Sequence, residues 1–267
     1  MLPEPVAQFK EAVAKPFGMI LVTGPTGSGK STTLYSVLNQ LNTLDRNIVT
    51  IEDPVEYQLE GITQIQVLPE VGLTFANGLR SILRQSPDII MVGEIRDSET
   101  ADIAVKASLT GQLVLSTLHT NDAPGALTRL ADMGVEPFLI ASSVIMIAAQ
   151  RLSRKVCPNC KEAYDVPKEV LERVGFTPAT LKSPRTFFRA KGCVKCNQTG
   201  YHGRMGTLET LTMDDKIRDM LVGGASSDQI KTYARGQGME TLRENALRQF
   251  ALGMTTLEEV LRVTAEE

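Results

Sequence analysis

Tryptophan is absent from this 267-residue chain, and tyrosine occurs only five times. So small an aromatic set leaves few platforms on which single-stranded nucleic acid could stack its bases. A surplus of positive charge is missing too. Lys and Arg number 28 against 31 Asp and Glu, a net of −3, so no global basic field favours a nucleic-acid backbone. No apolar run approaches the roughly 20 residues of a membrane helix. The start, MLPEPVAQFKEAV, lacks the basic and apolar regions of a secretory signal. Cysteine is limited to four residues, and without an export signal they are expected to stay reduced in a cytoplasmic protein. There is no repeat of solenoid length and no low-complexity tract. The remainder is ordinary for a soluble globular protein, with 42% hydrophobic and 22% charged residues, and is long enough for a real core.

The hydrophobic pattern predicts an α/β fold. MILVTG (19–24), NIVTIE (47–52), DIIMVGE (88–94) and LVLSTLH (113–119) are short apolar runs closed by glycine or by a polar residue, as buried strands are. Helical spacing joins them. Leu34, Val37, Leu38 and Leu41 share one face of a segment from Lys30 to Leu44, and amphipathic stretches cover about 74–86 and 98–109. Strands alternating with helices imply a parallel, helix-covered sheet. EYQLEGITQIQV (56–67) alternates with period two around a glycine and predicts an inserted hairpin. Helices are expected at about 123–133 and 137–150. After Gln150 the texture changes, giving a serial division into an α/β core (1–150), a cysteine-bearing module (151–205) and a tail (206–267) with four short helices.

The strongest local signal is GPTGSGKST at 24–32, which fits G-x-x-x-x-G-K-[ST] between a strand and a helix. Gly24, Gly27 and Gly29 allow backbone N–H groups to close around phosphates, with Pro25, Thr26, Ser28 and Thr32 completing the loop. The start of the following helix adds positive potential. Lys30 would reach the β- and γ-phosphates and the Ser31 hydroxyl would help to hold Mg²⁺. Acidic residues fall at other strand ends: Glu94 after DIIMVG, and Glu52, Asp53 and Glu56 in TIEDPVE. Ligands of open α/β sheets bind outside such ends. His119 closes a third strand, where a structural hydrogen-bonding role competes with phosphate sensing. Arg80 and Arg84, four apart, form either a solvated basic face or a pair serving a neighbouring subunit's phosphates.

Taken together, GPTGSGKST, TIEDPVE, GLRSILRQSPDIIMVGEIRD and STLHTND resemble the Walker A, Asp-box, Walker B and His-box of the secretion ATPase superfamily, the hexameric motors of type II secretion and type IV pilus assembly. The resemblance runs essentially the full length. It implies a RecA-like P-loop core that hydrolyses ATP with Mg²⁺. By position, Lys30 and Ser31 would hold phosphate and metal, Glu94 would be the Walker B acid, Glu56 the base for water and His119 a γ-phosphate sensor. Arg80, Arg84, Arg96 and Arg204 match family arginines near the nucleotide or the subunit interface. A homo-hexamer working on inner-membrane platform proteins is implied, with no nucleic-acid partner.

The cysteines form two C-x-x-C pairs, Cys157 with Cys160 and Cys193 with Cys196. Four thiolates make a closed tetrahedral Zn²⁺ site, structural because no position remains for water. Lys155, Lys161, Lys191 and Lys195 flank the pairs and would temper their charge. A redox pair or metal-free packing are the alternatives; His202 is a spare ligand. The resemblance places this module in the assembly and secretion branch, since the retraction branch lacks it. Family motors also carry a mobile domain before the ATPase core, whereas this chain starts about twenty residues before the phosphate loop. The chain alone is therefore expected to hydrolyse weakly and to form hexamers poorly. Two other readings remain: an ATP-regulated nucleic-acid-binding protein with a zinc ribbon, and a DNA-uptake relative of the same motors.

Overall fold

Buried apolar strands alternate with helices along the first half of the protein, and a computed structural model describes residues 1–176 and 186–265. Along the chain the elements are α1 (Pro3–Val13), β1 (Gly18–Thr23), α2 (Lys30–Leu41), β2 (Ile48–Glu52), β3 (Thr63–Gln66), α3 (Phe75–Leu83), β4 (Ile89–Val92), α4 (Ser98–Leu109), β5 (Leu113–Leu118), α5 (Ala123–Asp132) and α6 (Pro137–Ser143). There follow β6 (Val144–Val156), β7 (Lys161–Tyr164), α7 (Lys168–Arg173), β8 (Phe187–Ala190), β9 (Tyr201–Thr212), α8 (Asp215–Val222), α9 (Ser227–Gly236), α10 (Leu242–Ala251) and α11 (Leu257–Val263).

Two compact units divide these elements. One comprises residues 3–149 and 210–239; the other comprises 1–2, 150–209 and 240–267. This grouping differs from a serial division, because the four tail helices are shared out, α8 and α9 to the first unit and α10 and α11 to the second. The chain leaves the first unit along β6 and comes back to it along β9.

In the first unit the sheet order is β3-β2-β4-β5-β1-β6, with β9 beyond β6. Neighbours from β3 to β6 are parallel. β1, β2, β4 and β5 are buried along their whole length, as expected of strands covered on both faces. Leu34, Val37, Leu38 and Leu41 are the buried face of α2, and Phe75, Leu79 and Ile82 that of α3. Helix starts are well capped: Thr74, Asp97, Asp122, Asp214 and Ser226 each accept a backbone N–H of the first turn.

Two sequence expectations are overturned. Residues 56–67 make no hairpin; only Thr63–Gln66 is a strand, and it pairs parallel to β2, Val49 opposite Thr63 and Glu52 opposite Gln66. The alternation was that of a half-exposed edge strand. The helix expected over 137–150 stops at Ser143, and Val144–Ala149 continue as a buried strand beside β1. Short apolar runs fit either structure by periodicity alone, and here pairing with β1 decides.

The second unit has its own core, in which Leu171, Phe176, Phe187, Leu247, Phe250 and Val260 pack together. The Phe187 and Phe250 rings stack 4.6 Å apart. β7 and β8 form an antiparallel ribbon between the two cysteine pairs. The stretch 177–185 of that insert lies outside the described residues.

Candidate functional site

The parallel order β2-β4-β5-β1 sets four carboxyl ends side by side, and the chain places a polar or glycine residue just past each. Asp53 follows β2, Glu94 lies two residues beyond β4, His119 follows β5 and Gly24 follows β1. In open α/β sheets this edge is where ligands bind.

The turn after β1 requires glycine. Gly24, Gly27 and Gly29 have φ of 145°, 78° and 86°, a region that side chains disfavour. Gly29 caps α2 and Lys30 opens it. The Lys30 ammonium folds back over the loop and donates to the Gly24 carbonyl (2.8 Å) and the Pro25 carbonyl (3.1 Å). Pro25, Thr26, Gly27, Ser31 and Thr32 are exposed, while Ser28 is buried beneath the turn. Thr23, the last residue of β1, bonds the main-chain oxygens of Leu118 and Thr120 (both 3.1 Å), and its oxygen accepts the Thr120 N–H (2.8 Å). The phosphate loop is thus anchored to the segment carrying His119.

Glu94 gathers two partners. Its carboxylate is ion-paired with Arg96 and lies 3.5 Å from His119 Nε2. The Arg96 guanidinium is held even further above its usual value, first by the hydrogen bond to Glu94 and, against some burial, by the charges of Glu94 and Asp53. Gly93, just before Glu94, has no room for a side chain to spread. A Cβ there would stand 3.3 Å from the backbone of Ile51 and Glu52. Glycine thereby lets the ends of β4 and β2 approach closely.

The three carboxylates of TIEDPVE separate. Glu52 is buried and accepts hydrogen bonds from Tyr35, from Thr50 (2.5 Å) and from Gln64 (3.1 Å), all of them neutral donors. Asp53 and Glu56 are exposed beyond it. Burial, then the hydrogen bond and charge of Glu52, push the Tyr35 hydroxyl well above its ordinary range. Neither Tyr35 nor Gln64 stands out in the sequence. The one available signal was a tyrosine inside the otherwise aliphatic face of the helix that follows the phosphate loop.

The arginines scatter. Arg80 on α3 is ion-paired with Glu99 of α4, and Arg84 lies exposed at the end of α3. Of the four arginines singled out, Arg96 is the one in contact with Glu94. Arg204 lies on β9 within the second unit and is exposed.

That unit brings the four cysteines together, with all Sγ atoms within 4.8 Å of one another and none in a disulfide. Cys196 Sγ lies 3.7 Å from Cys193 and 3.8 Å from Cys160. A tetrahedron of thiolates about 2.3 Å from a zinc ion has edges of about 3.8 Å, so the set fits such an ion. Burial raises the Cys196 thiol, but N–H donors from Cys193 and Gly200 outweigh it and bring it down to about 6. Burial pushes Cys160 up to about 12. The Asn159 amide donates to Cys193 (3.3 Å). Flanking lysines have other contacts, Lys191 with Glu162 and Lys161 over the Phe188 ring. Amide donors, more than ammonium groups, therefore face the sulfurs directly. His202 is exposed, and the cysteine set is complete without it.

A parallel α/β sheet with this loop after β1 and an acid after β4 defines a P-loop nucleotide-binding protein. The chain belongs to the family described as Type II/IV secretion system protein, whose model matches residues 1–262. It is 55% identical over 257 residues to type II secretion system protein E of Pseudomonas aeruginosa, covering 96% of this chain and 50% of that protein. It is 54% identical over 259 residues to the type IV pilus assembly ATPase PilB of Thermus thermophilus, covering 97% of this chain and 29% of that protein. The fold superposes on the pilus retraction motor PilT, solved with bound ADP, at a TM-score of 0.72 and 28% identity, over 99% of this chain and 65% of that one. The chain thus spans half or less of the length of the two curated relatives. Among the described residues no helix is long and apolar enough to cross a membrane.

Proposed function

We propose that this chain is the ATP-hydrolysing part of a motor for type II secretion or type IV pilus assembly. One observation carries the reading. The phosphate loop, Glu94 with Arg96 and His119, and the Asp53–Glu56 segment share one carboxyl edge of the sheet. The backbone of 24–32 and the N-terminus of α2 would bind the phosphates, and Lys30 would leave the Gly24 carbonyl to meet them. Ser31 and Glu94 would hold Mg²⁺, which when bound offsets charge across the β- and γ-phosphates. Glu56 would orient and deprotonate the attacking water. His119, already against Glu94, would report on the γ-phosphate. Arg96 would stabilise Glu94 or the phosphates, and Arg80, Arg84 and Arg204 would serve subunit contacts. Cys157, Cys160, Cys193 and Cys196 would hold a structural Zn²⁺. Sequence similarity to named secretion and pilus-assembly proteins supports work as a homo-hexamer on inner-membrane platform proteins.

The direct test is Lys30→Ala. Binding of a fluorescent ATP analogue should weaken by at least about a hundredfold, since charge-assisted contacts to phosphate are lost. Unchanged affinity would refute this placement of the nucleotide.

A further inference from the structure

The segment 53–62, which carries Glu56, has no helix or strand of its own, and its position is set by side chains from elsewhere. Two of those contacts come from Tyr35 on α2, the helix that begins at Lys30. The Tyr35 hydroxyl donates to the buried Glu52 carboxylate and accepts the backbone N–H of Glu56 (3.3 Å). Its ring meets Tyr57 edge-on, with centroids 4.7 Å apart. Just past the end of α2, the Asn42 amide donates to the Glu60 carbonyl (2.7 Å). Gln64 closes the other side: its amide donates to Glu52 (3.1 Å) and to the Tyr57 carbonyl (3.2 Å), and its oxygen accepts the Leu59 N–H (2.7 Å).

Hydrogen-bond capacity makes this set cooperative. Tyr35 has one proton to give and two lone pairs to receive. With the proton given to Glu52, the hydroxyl oxygen is turned to accept from the Glu56 backbone. Glu52 thus orients Tyr35, and Tyr35 orients the main chain of Glu56. Because Tyr35 is 1% exposed, its position follows α2 and hence the phosphate loop.

We propose that Tyr35, oriented by Glu52, is a positioning residue for Glu56, coupling the helix of the phosphate loop to the segment that presents the base to water. The inference rests on the assignment of Glu56 as base. Misplacement of a catalytic group by about 1 Å costs up to a hundredfold in rate.

The test compares Tyr35→Phe, Glu56→Gln and the double variant in the full chain. Binding of the fluorescent ATP analogue, single-turnover phosphate release with Mg²⁺, and backbone hydrogen exchange of 53–62 are followed. Phenylalanine keeps the buried ring, so the fold and nucleotide affinity should hold to within about twofold. Turnover should fall by about tenfold or more. Exchange in 53–62 should quicken while that of 24–32 does not. The double variant should be no slower than Glu56→Gln alone, because residues acting as a unit are not additive. Turnover unchanged in Tyr35→Phe but lost in Glu56→Gln would overturn the inference alone. Turnover unchanged in Glu56→Gln would overturn the base assignment, and this inference with it. A loss of affinity equal to the loss of rate would reduce Tyr35 to a structural residue.

Discussion

Glu94 and Glu259 show how differently two acidic side chains can be used in this protein. Glu94 is a half-buried carboxylate at a ligand edge, shared between Arg96 and the 3.5 Å contact with His119. Glu259 is fully buried and saturated. It accepts from the Arg154 backbone (2.7 Å) and from the Arg154 and Arg262 guanidinium groups (2.9 and 2.8 Å). Burial raises its pKa, but the two arginines outweigh burial and hold it below the usual 4.5. A carboxylate held low in the folded state stabilises above that usual value, and the contribution is lost as pH falls through the folded value. The midpoint of thermal unfolding should therefore fall as pH drops below that usual value in the parent and less steeply in Glu259→Gln, a comparison that calorimetry makes directly. At pH 7 the substitution should cost about 1–3 kcal/mol, because charge-assisted hydrogen bonds are lost while both arginines remain partly exposed to water. Glycines and Lys30 of the phosphate loop were legible in the sequence because their spacing is dictated by phosphate geometry. Glu259 was not legible, since its role comes from an arginine 105 positions away.

Among elements, helix starts and strand ends carry the design. Asp122 caps α5 through the Gly125 N–H (2.9 Å) and pairs with Lys231 of α9 (3.1 Å). Asp122→Ala should lose the cap, at about 1 kcal/mol, together with a partly exposed ion pair of at most about 1 kcal/mol. A urea midpoint lowered in proportion is the expected result, and Lys231→Ala should show only the smaller part. The fully buried strands β1, β2, β4 and β5 were readable from apolar runs and their closing residues. The alternation marked β3 as a strand but not its parallel pairing, and the start of β6 was read as helix, since a short buried apolar run fits either periodicity. Long-range pairing to β2 and β1 settles them, and such pairing leaves no local mark in the sequence.

For the whole molecule, the division into two units matters more than the order of segments. Tail helices α10 and α11 join the cysteine-bearing unit, and α10 contributes Phe250 to its core beside Phe187. Serial reading could not foresee this, because contact, and not sequence adjacency, defines a unit. If the four thiols hold zinc, metal analysis should find one ion per chain. Cys157→Ser should lose it and open the second unit to protease while nucleotide binding persists, since zinc affinity is folding energy for such a site. Nucleotide binding lost in step with zinc would contradict independent roles for the two units.

Hydrolysis at the shared carboxyl edge is tested most directly by single-turnover phosphate release from Glu56→Gln, with ATP binding measured on the same sample. The amide keeps the size of the side chain and loses the base. Nucleotide affinity should stay within about twofold, and release should slow by about a hundredfold or more. Release at the parent rate, with nucleotide bound, would contradict the assignment of Glu56 as the base.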